Sequence, residues 1–288
     1  MIYAVRHLTT YRYVEPVDLS YHALRLTPRA LPHQQVLETT IRTRPPAARQ
    51  IALSDYFGNA VTQIALEIPH RELVVEASCR VDVEFPPAPA AALTPAWESV
   101  RDLLHGDGFP ELVDISQFVH DSPLIEAAVA APLADGVFAP GRPILEAALD
   151  LNRRVRAEFT FAPGATAVST ALGEFMRLRR GVCQDFAHAM IGALRAVGLA
   201  ARYVSGYVRT RRGDEGGLEG GDASHAWVSV YCPGAGWIDL DPTNDLVVAD
   251  EHVVLGWGRD YGDVAPVGGV ILGGGAHDLA VEVTLEAA

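Results

Sequence analysis

Three side chains in this sequence have the types needed for nucleophilic acyl chemistry: Cys183 in RRGVCQDFAH, His225 in GDASHAW and Asp241 in WIDLDPTND. Thiolate, not thiol, is the attacking form, so the surroundings of the cysteine decide its use. Phe186, Met190, Leu194 and Val197 recur at helical spacing and Gly198 follows as a stop, which predicts a helix over 183–197 beginning at the cysteine. Unpaired N–H groups and the positive end of the helix dipole favour an anion there, and Arg179 and Arg180 add positive charge upstream. A free cysteine in the same place also serves as a small buried hydrophobe.

A thiol nucleophile needs a base, and ten histidines compete. His188 lies about 140° round the helix from Cys183, facing away. His225 opens the strand-like run HAWVSVY, and a hairpin through CPGAG would return along WIDLD. If Tyr231 pairs with Trp237, positions 225, 227, 239 and 241 share one face. His225 and Asp241 then become diagonal neighbours, roughly 7–8 Å apart at the backbone and within side-chain reach. Asp239 is one step further off, which makes Asp241 the expected orienting carboxylate. Asp222 competes by proximity in sequence but sits in a glycine-rich loop, while Asp185 is expected to anchor the helix start.

Stepping outward, the elements that must hold these residues divide the chain in two. Residues 1–88 read as a β-rich unit: Tyr3, Val5 and His7 alternate with polar neighbours, and turn signals such as Pro45–Pro46 and Gly58–Asn59 separate further short strands. PPAPAAA over 86–92 breaks the periodicity. From 93 to 288 the chain reads as a second unit with a helical lead-in: Thr94 as a helix cap before Pro95, helices over 123–131 and 143–157, and strands over 200–209, 225–231 and 237–241. The segment 212–221 is a polar loop placed to gate a cleft, and the tail from Val264 returns to strands. The resulting class is α+β, with a β-sandwich-like first domain.

Composition narrows the partners. The formal charge of −13 argues against nucleic acid and anionic membrane surfaces, and no apolar run approaches the roughly 20 residues of a spanning helix. The N-terminus lacks an apolar leader core, and three cysteines without a CxxC pair fit a reducing cytoplasm. Neither HExxH nor GxGxxG spacing is present, so no metal or cofactor is expected. All 23 basic Lys and Arg positions are arginine.

The ordered runs GVCQDFAHAMIGALRAVGLAARYVSGYV, HAWVSVY and GWIDLDPTND resemble the bacterial transglutaminase-like superfamily, whose members are described as cysteine proteases. VRHLTTYRYVEPVDLSYHALRLTPR with DYFGNAV resembles the N-terminal β domain that accompanies the bacterial subfamily, and GRDYGDVAPVGGVILGGG resembles its C-terminal portion. The resemblance implies a papain-like core with a cysteine-bearing helix packed on an antiparallel sheet. It matches Cys183 to the nucleophile of GxCxDF, His225 to the base of HAW and Asp241 to the carboxylate of the DPT motif. The implied activity is acyl transfer at an amide through a thioester, on a peptide or amide substrate. Water as acceptor gives hydrolysis, an amine gives transfer, and an inert core would leave a binding module.

Overall fold

A computed structural model describes residues 1–106, 112–209, 218–220 and 223–288. Five strands come first: β1 (Ile2–Leu24), β2 (Gln34–Arg44), β3 (Arg49–Ser54), β4 (Ala60–Leu66) and β5 (His70–Val83). Helices α1 (Trp97–His105), α2 (Val113–Ser116), α3 (Ala127–Ala130) and α4 (Ile144–Glu158) lead to β6 (Thr160–Phe161), α5 (Leu172–Leu178) and β7 (Arg180–Gly181). Then follow α6 (Cys183–Ala196), β8 (Ala201–Val208), β9 (His225–Cys232), β10 (Gly236–Asp241), β11 (Leu246–Val247), β12 (His252–Gly258), α7 (Tyr261–Val264), β13 (Val267–Gly273) and β14 (His277–Ala287).

The alternation read in β1 is real: Tyr3, Val5, His7 and Thr9 point inward and are buried. This 23-residue strand changes partners along its length. Its first half lies between β5 and β14, and its second half between β4 and β13. Leu24, Ile64 and Leu66 then share one apolar core with Leu73, Val75 and Ala77, giving the sandwich-like character expected of the first unit. The expected second unit, 93–288, does not keep its tail. β13 and β14 leave it and pair along β1, because a long strand with a free edge completes its backbone hydrogen bonds with whichever strand reaches it. Position in the sequence therefore mislabels these residues.

The second layer is a five-stranded antiparallel sheet in the order β11–β10–β9–β8–β12, with α6 packed on one face. Two helices fall close to expectation, at 144–158 and 183–196, while 123–131 shortens to α3 and a 3-10 turn over Ala131–Ala134. Thr94 does not cap the first helix, which begins at Trp97. Its hydroxyl donates to the carbonyl of Ala91 and accepts from the N–H of Leu145, in the first turn of α4.

Side-chain amides join the two layers. β12 is an edge strand, and Gln34 gives and takes a hydrogen bond at the backbone of Val254, 2.8 and 2.7 Å. Asn59 does the same at Trp257, 2.8 and 3.0 Å. Two amides thus stand in for a neighbouring strand and leave the edge capped. Tyr3, Val5 and Val81 pack below them against Tyr207, Val253 and Leu255.

Candidate active site

Cys183 is the first residue of α6, preceded by Val182 in extended geometry. The Asp185 carboxylate turns back to accept from the Val182 N–H, 2.8 Å, and from the Thr166 hydroxyl, 2.7 Å. Burial raises the pKa of Asp185 against the pull of these bonds. This is the anchoring geometry expected of it, and it fixes where the helix begins. Of the two upstream arginines, Arg179 is directed elsewhere. Arg179 adopts a left-handed conformation, pairs with Glu158 and lies over the Phe159 ring.

The hairpin forms in the register the sequence required, Trp237 opposite Tyr231. Its connection is shorter than the five residues of CPGAG: Cys232 pairs with Gly236, leaving Pro233–Ala235 as the turn. Cys232 therefore ends a strand and is buried.

His225 and Asp241 meet as neighbours on that hairpin. Nε2 of His225 donates to Oδ2 of Asp241 at 2.7 Å, and both side chains are fully buried. Asp241 also accepts from the Asn244 side-chain amide at 2.7 Å and from the N–H groups of Thr243 and Asn244 at 2.9 and 3.2 Å. Burial opposes its ionisation, but His225 and, behind it, His252 hold its pKa well below the usual carboxylate range. The same burial penalises an imidazolium at His225, yet the Asp241 charge outweighs it and Cys183 adds to the effect, so its pKa rises. Asp239 shares the face but accepts from Trp227 Nε1 at 3.0 Å. Asp222 lies outside the described residues.

Cys183 and His225 line one cavity of about 570 Å³. The cysteine Sγ stands 4.0 Å from the Ser224 carbonyl, while Nδ1 of His225 has no hydrogen-bond partner among the described residues. Of the loop expected to gate the cleft, residues 218–220 are described and the remainder is not. Glu219 is tied to Asn244 through both backbone groups, 2.7 and 3.3 Å. Gly220, at φ +96°, passes so close to the imidazole that a Cβ would stand 2.4 Å from Nδ1. The first sheet supplies the opposite wall with His7, Tyr11, Leu279 and Val281, and no Asp, Glu or Arg occurs among the described residues of the lining. His188 faces away, accepting from the Tyr261 N–H at 3.2 Å, and burial lowers its pKa to about 4. Trp97, the one tryptophan upstream of the cysteine, packs on Phe138 and donates to the Ala139 carbonyl, outside the cavity lining.

Two participants escaped the sequence reading. Asn244, three residues past Asp241, is legible as part of the same motif. His252 is not: its Nε2 reaches Asp241 at 3.4 Å from β12, two strands beyond the hairpin. It gets there because β8 carries Gly206 in between, where a Cβ would stand 2.3 Å from the Trp227 ring, and Trp227 and His252 pack edge to face at 5.2 Å. His225, Asp241 and His252 are near enough to converge on a cation. Both imidazoles would have to turn from donors to that carboxylate into deprotonated ligands, and three further donors already occupy it.

Comparison with known proteins agrees with this architecture. The family described as "Bacterial transglutaminase-like N-terminal region" matches residues 3–82, and "Transglutaminase-like superfamily" matches residues 131–242. This chain belongs to the transglutaminase-like superfamily. An uncharacterized protein of Mycobacterium tuberculosis is 39% identical over 279 residues, 93% of this chain and 87% of the relative. One of Mycobacterium leprae is 35% identical over 281 residues, 98% and 97% of the two chains. The solved structure of "a Putative Cysteine Protease from Cytophaga hutchinsonii" shares the fold, with a TM-score of 0.75 at 21% identity over 100% of this chain and 91% of that one. A "Protein-glutamine gamma-glutamyltransferase" of Pseudomonas aeruginosa is 35% identical over 100 residues, 34% of this chain and 15% of that protein.

Proposed function

We propose that this protein is a cysteine hydrolase of peptide or isopeptide-like amides, with Cys183 as nucleophile, His225 as general base and acid, and Asp241 as the group that orients and charges the imidazole. The observation that carries this reading is the helix-start thiol sharing a largely apolar cleft with His225, which is itself paired with Asp241. Cys183 gives its proton to Nδ1 of His225, and Sγ bonds to the amide carbonyl carbon. The Cys183 N–H, without an intrahelical partner, supports the oxyanion. Collapse breaks the C–N bond as His225 protonates the leaving amine, and water then cleaves the thioester, releasing the acid and the thiol. Three free cysteines fit a reducing cytoplasm as the place of action.

Replacing Cys183 by Ala should abolish labelling by a thiol-directed activity probe and leave the melting temperature unchanged. Undiminished labelling of that variant ends the assignment. Transfer to an amine is the second reading, favoured by the name of the Pseudomonas relative. Glutamine-containing peptides incubated with and without a primary amine distinguish the two: a deamidated or cleaved product alone supports hydrolysis, and an amine adduct supports transfer. The chain has no lysine, so such adducts cannot include a self-formed lysine isopeptide.

A further inference from the structure

Further along the same face of the sheet, toward the turn that joins β9 to β10, lies a second cavity of about 510 Å³, bounded by that turn and by the proline-rich link between the two layers. Arg202 lines it. Only 8% of that residue is exposed, yet its side chain makes no hydrogen bond and no ion pair among the described residues, and its Nε is a buried donor without an acceptor. A buried guanidinium ordinarily has its N–H groups satisfied and its charge matched. Here the charge is met by aromatic rings instead. The Trp257 ring lies 3.7 Å and the Trp237 ring 4.3 Å from its central carbon. Arg29 covers Trp257 as well, at 3.6 Å, and its Nη1 donates to the Phe57 carbonyl and to Asn59 Oδ1. Cation–π contact offsets the charge of a guanidinium but engages none of its N–H donors as a hydrogen bond would.

A second unsatisfied group lines the same cavity. Nε2 of His33 is buried without a partner, its ring held against Phe85 at 4.2 Å. Asp239, the acid within electrostatic range of Arg202 and His33, is held by Trp227 Nε1. Two cations, Arg202 and Arg29, stand against one partly engaged carboxylate, a surplus of about one positive charge that suits a monoanion better than a doubly charged phosphate. The remaining walls are proline, tryptophan and aliphatic side chains.

We propose that this cavity is a binding site for a monocarboxylate with an apolar body, its two oxygens paired with unengaged N–H groups of Arg202 and its body held between the proline-rich link and the Trp237 and Trp257 rings. The fork of a guanidinium matches a carboxylate in two parallel hydrogen bonds. The chemistry suits a free carboxylic acid or the C-terminal carboxylate of a peptide. The site is separate from the Cys183 cleft and does not depend on the activity assigned to it.

The test is calorimetric titration of the full chain with benzoate and with N-acetyl-leucine, each against its uncharged amide. Each carboxylate that occupies the site should bind at least about tenfold tighter than its amide. Arg202→Met should abolish that preference, and Cys183→Ala should keep it. Preference for benzoate assigns free acids, and preference for N-acetyl-leucine assigns chain ends. If Arg202→Met does not fold, the Arg202 Nε–H resonance of the wild-type protein supplies the readout, and it should shift with the carboxylates and not with the amides. Equal affinity for acid and amide, full binding by a folded Arg202→Met, loss of binding in Cys183→Ala, or an unmoved Nε–H resonance would each overturn the proposal.

Discussion

Two buried imidazoles face the same cleft from opposite layers, and they carry opposite electrostatics. His7, on the first strand of the N-terminal sheet, is 1% exposed, as is His225 on the hairpin. The partners of His7 are the hydroxyls of Tyr207 and Thr9, at 3.1 and 2.9 Å, and burial lowers its pKa to about 4. His225 pays the same desolvation cost but faces a carboxylate, and its pKa rises instead. Burial alone thus makes a neutral wall residue. A base that holds its proton at neutral pH requires Asp241, which in turn requires the donors that keep it ionised in a dry site.

The widest break in this contrast is Asp241→Asn, which should make His225 behave like His7. Labelling of Cys183 should fall by about a thousandfold or more, and histidine NMR titration should show the His225 pKa dropping below its ordinary value. A labelling rate within twofold of wild type would show that the carboxylate does not set the base. Gly220→Ala comes next. The new methyl would meet Nδ1 of His225 and require a left-handed backbone, so labelling should fall by about one to two orders of magnitude, with little change in the Asp241-dependent pKa.

Stability against pH separates the two imidazoles with opposite sign. His7 and His188, with folded pKa values of about 4, bind protons in the unfolded chain first, so the fold loses stability as pH falls from about 6.5 toward 4. For His188 alone the loss is on the order of a few kcal/mol. His225 does the reverse: its contribution is fully present below about 6.5 and is lost as pH rises through its raised folded value. Denaturant melts at pH 5, 7 and 9 should find His7→Gln less acid-sensitive than wild type. An unchanged acid limb would remove His7 from the account. The smallest effect belongs to the joint between the layers. Gln34→Ala strips two hydrogen bonds from the edge at Val254 and should cost about 1–3 kcal/mol, read as a shifted urea midpoint.

How much of this was legible depended on the range of each interaction. The helix at Cys183 follows from apolar residues three and four apart, and the hairpin register follows from a short turn between two alternating strands. Both are local, and together they bring Asp241 to His225. The unbroken apolar run of β12 offered no alternation to give it a face, because both its faces are buried, and α5 was too short for its period to register. Thr94 has the right chemistry for a cap, yet tertiary contact sends its hydroxyl to a different helix.

The sequence by itself determined the cysteine-first helix, the His225–Asp241 face and the β-rich character of the opening strands, since these rest on contacts a few residues apart. Only the tertiary structure decided that β13 and β14 close the first sheet, that His7 and Tyr11 wall the cleft, that His252 reaches Asp241 past Gly206, and that Arg202 is left against two indoles with its Nε unpaired. Each of those joins residues from separate strands or layers, and the side chains that compete for such places are selected by packing in three dimensions.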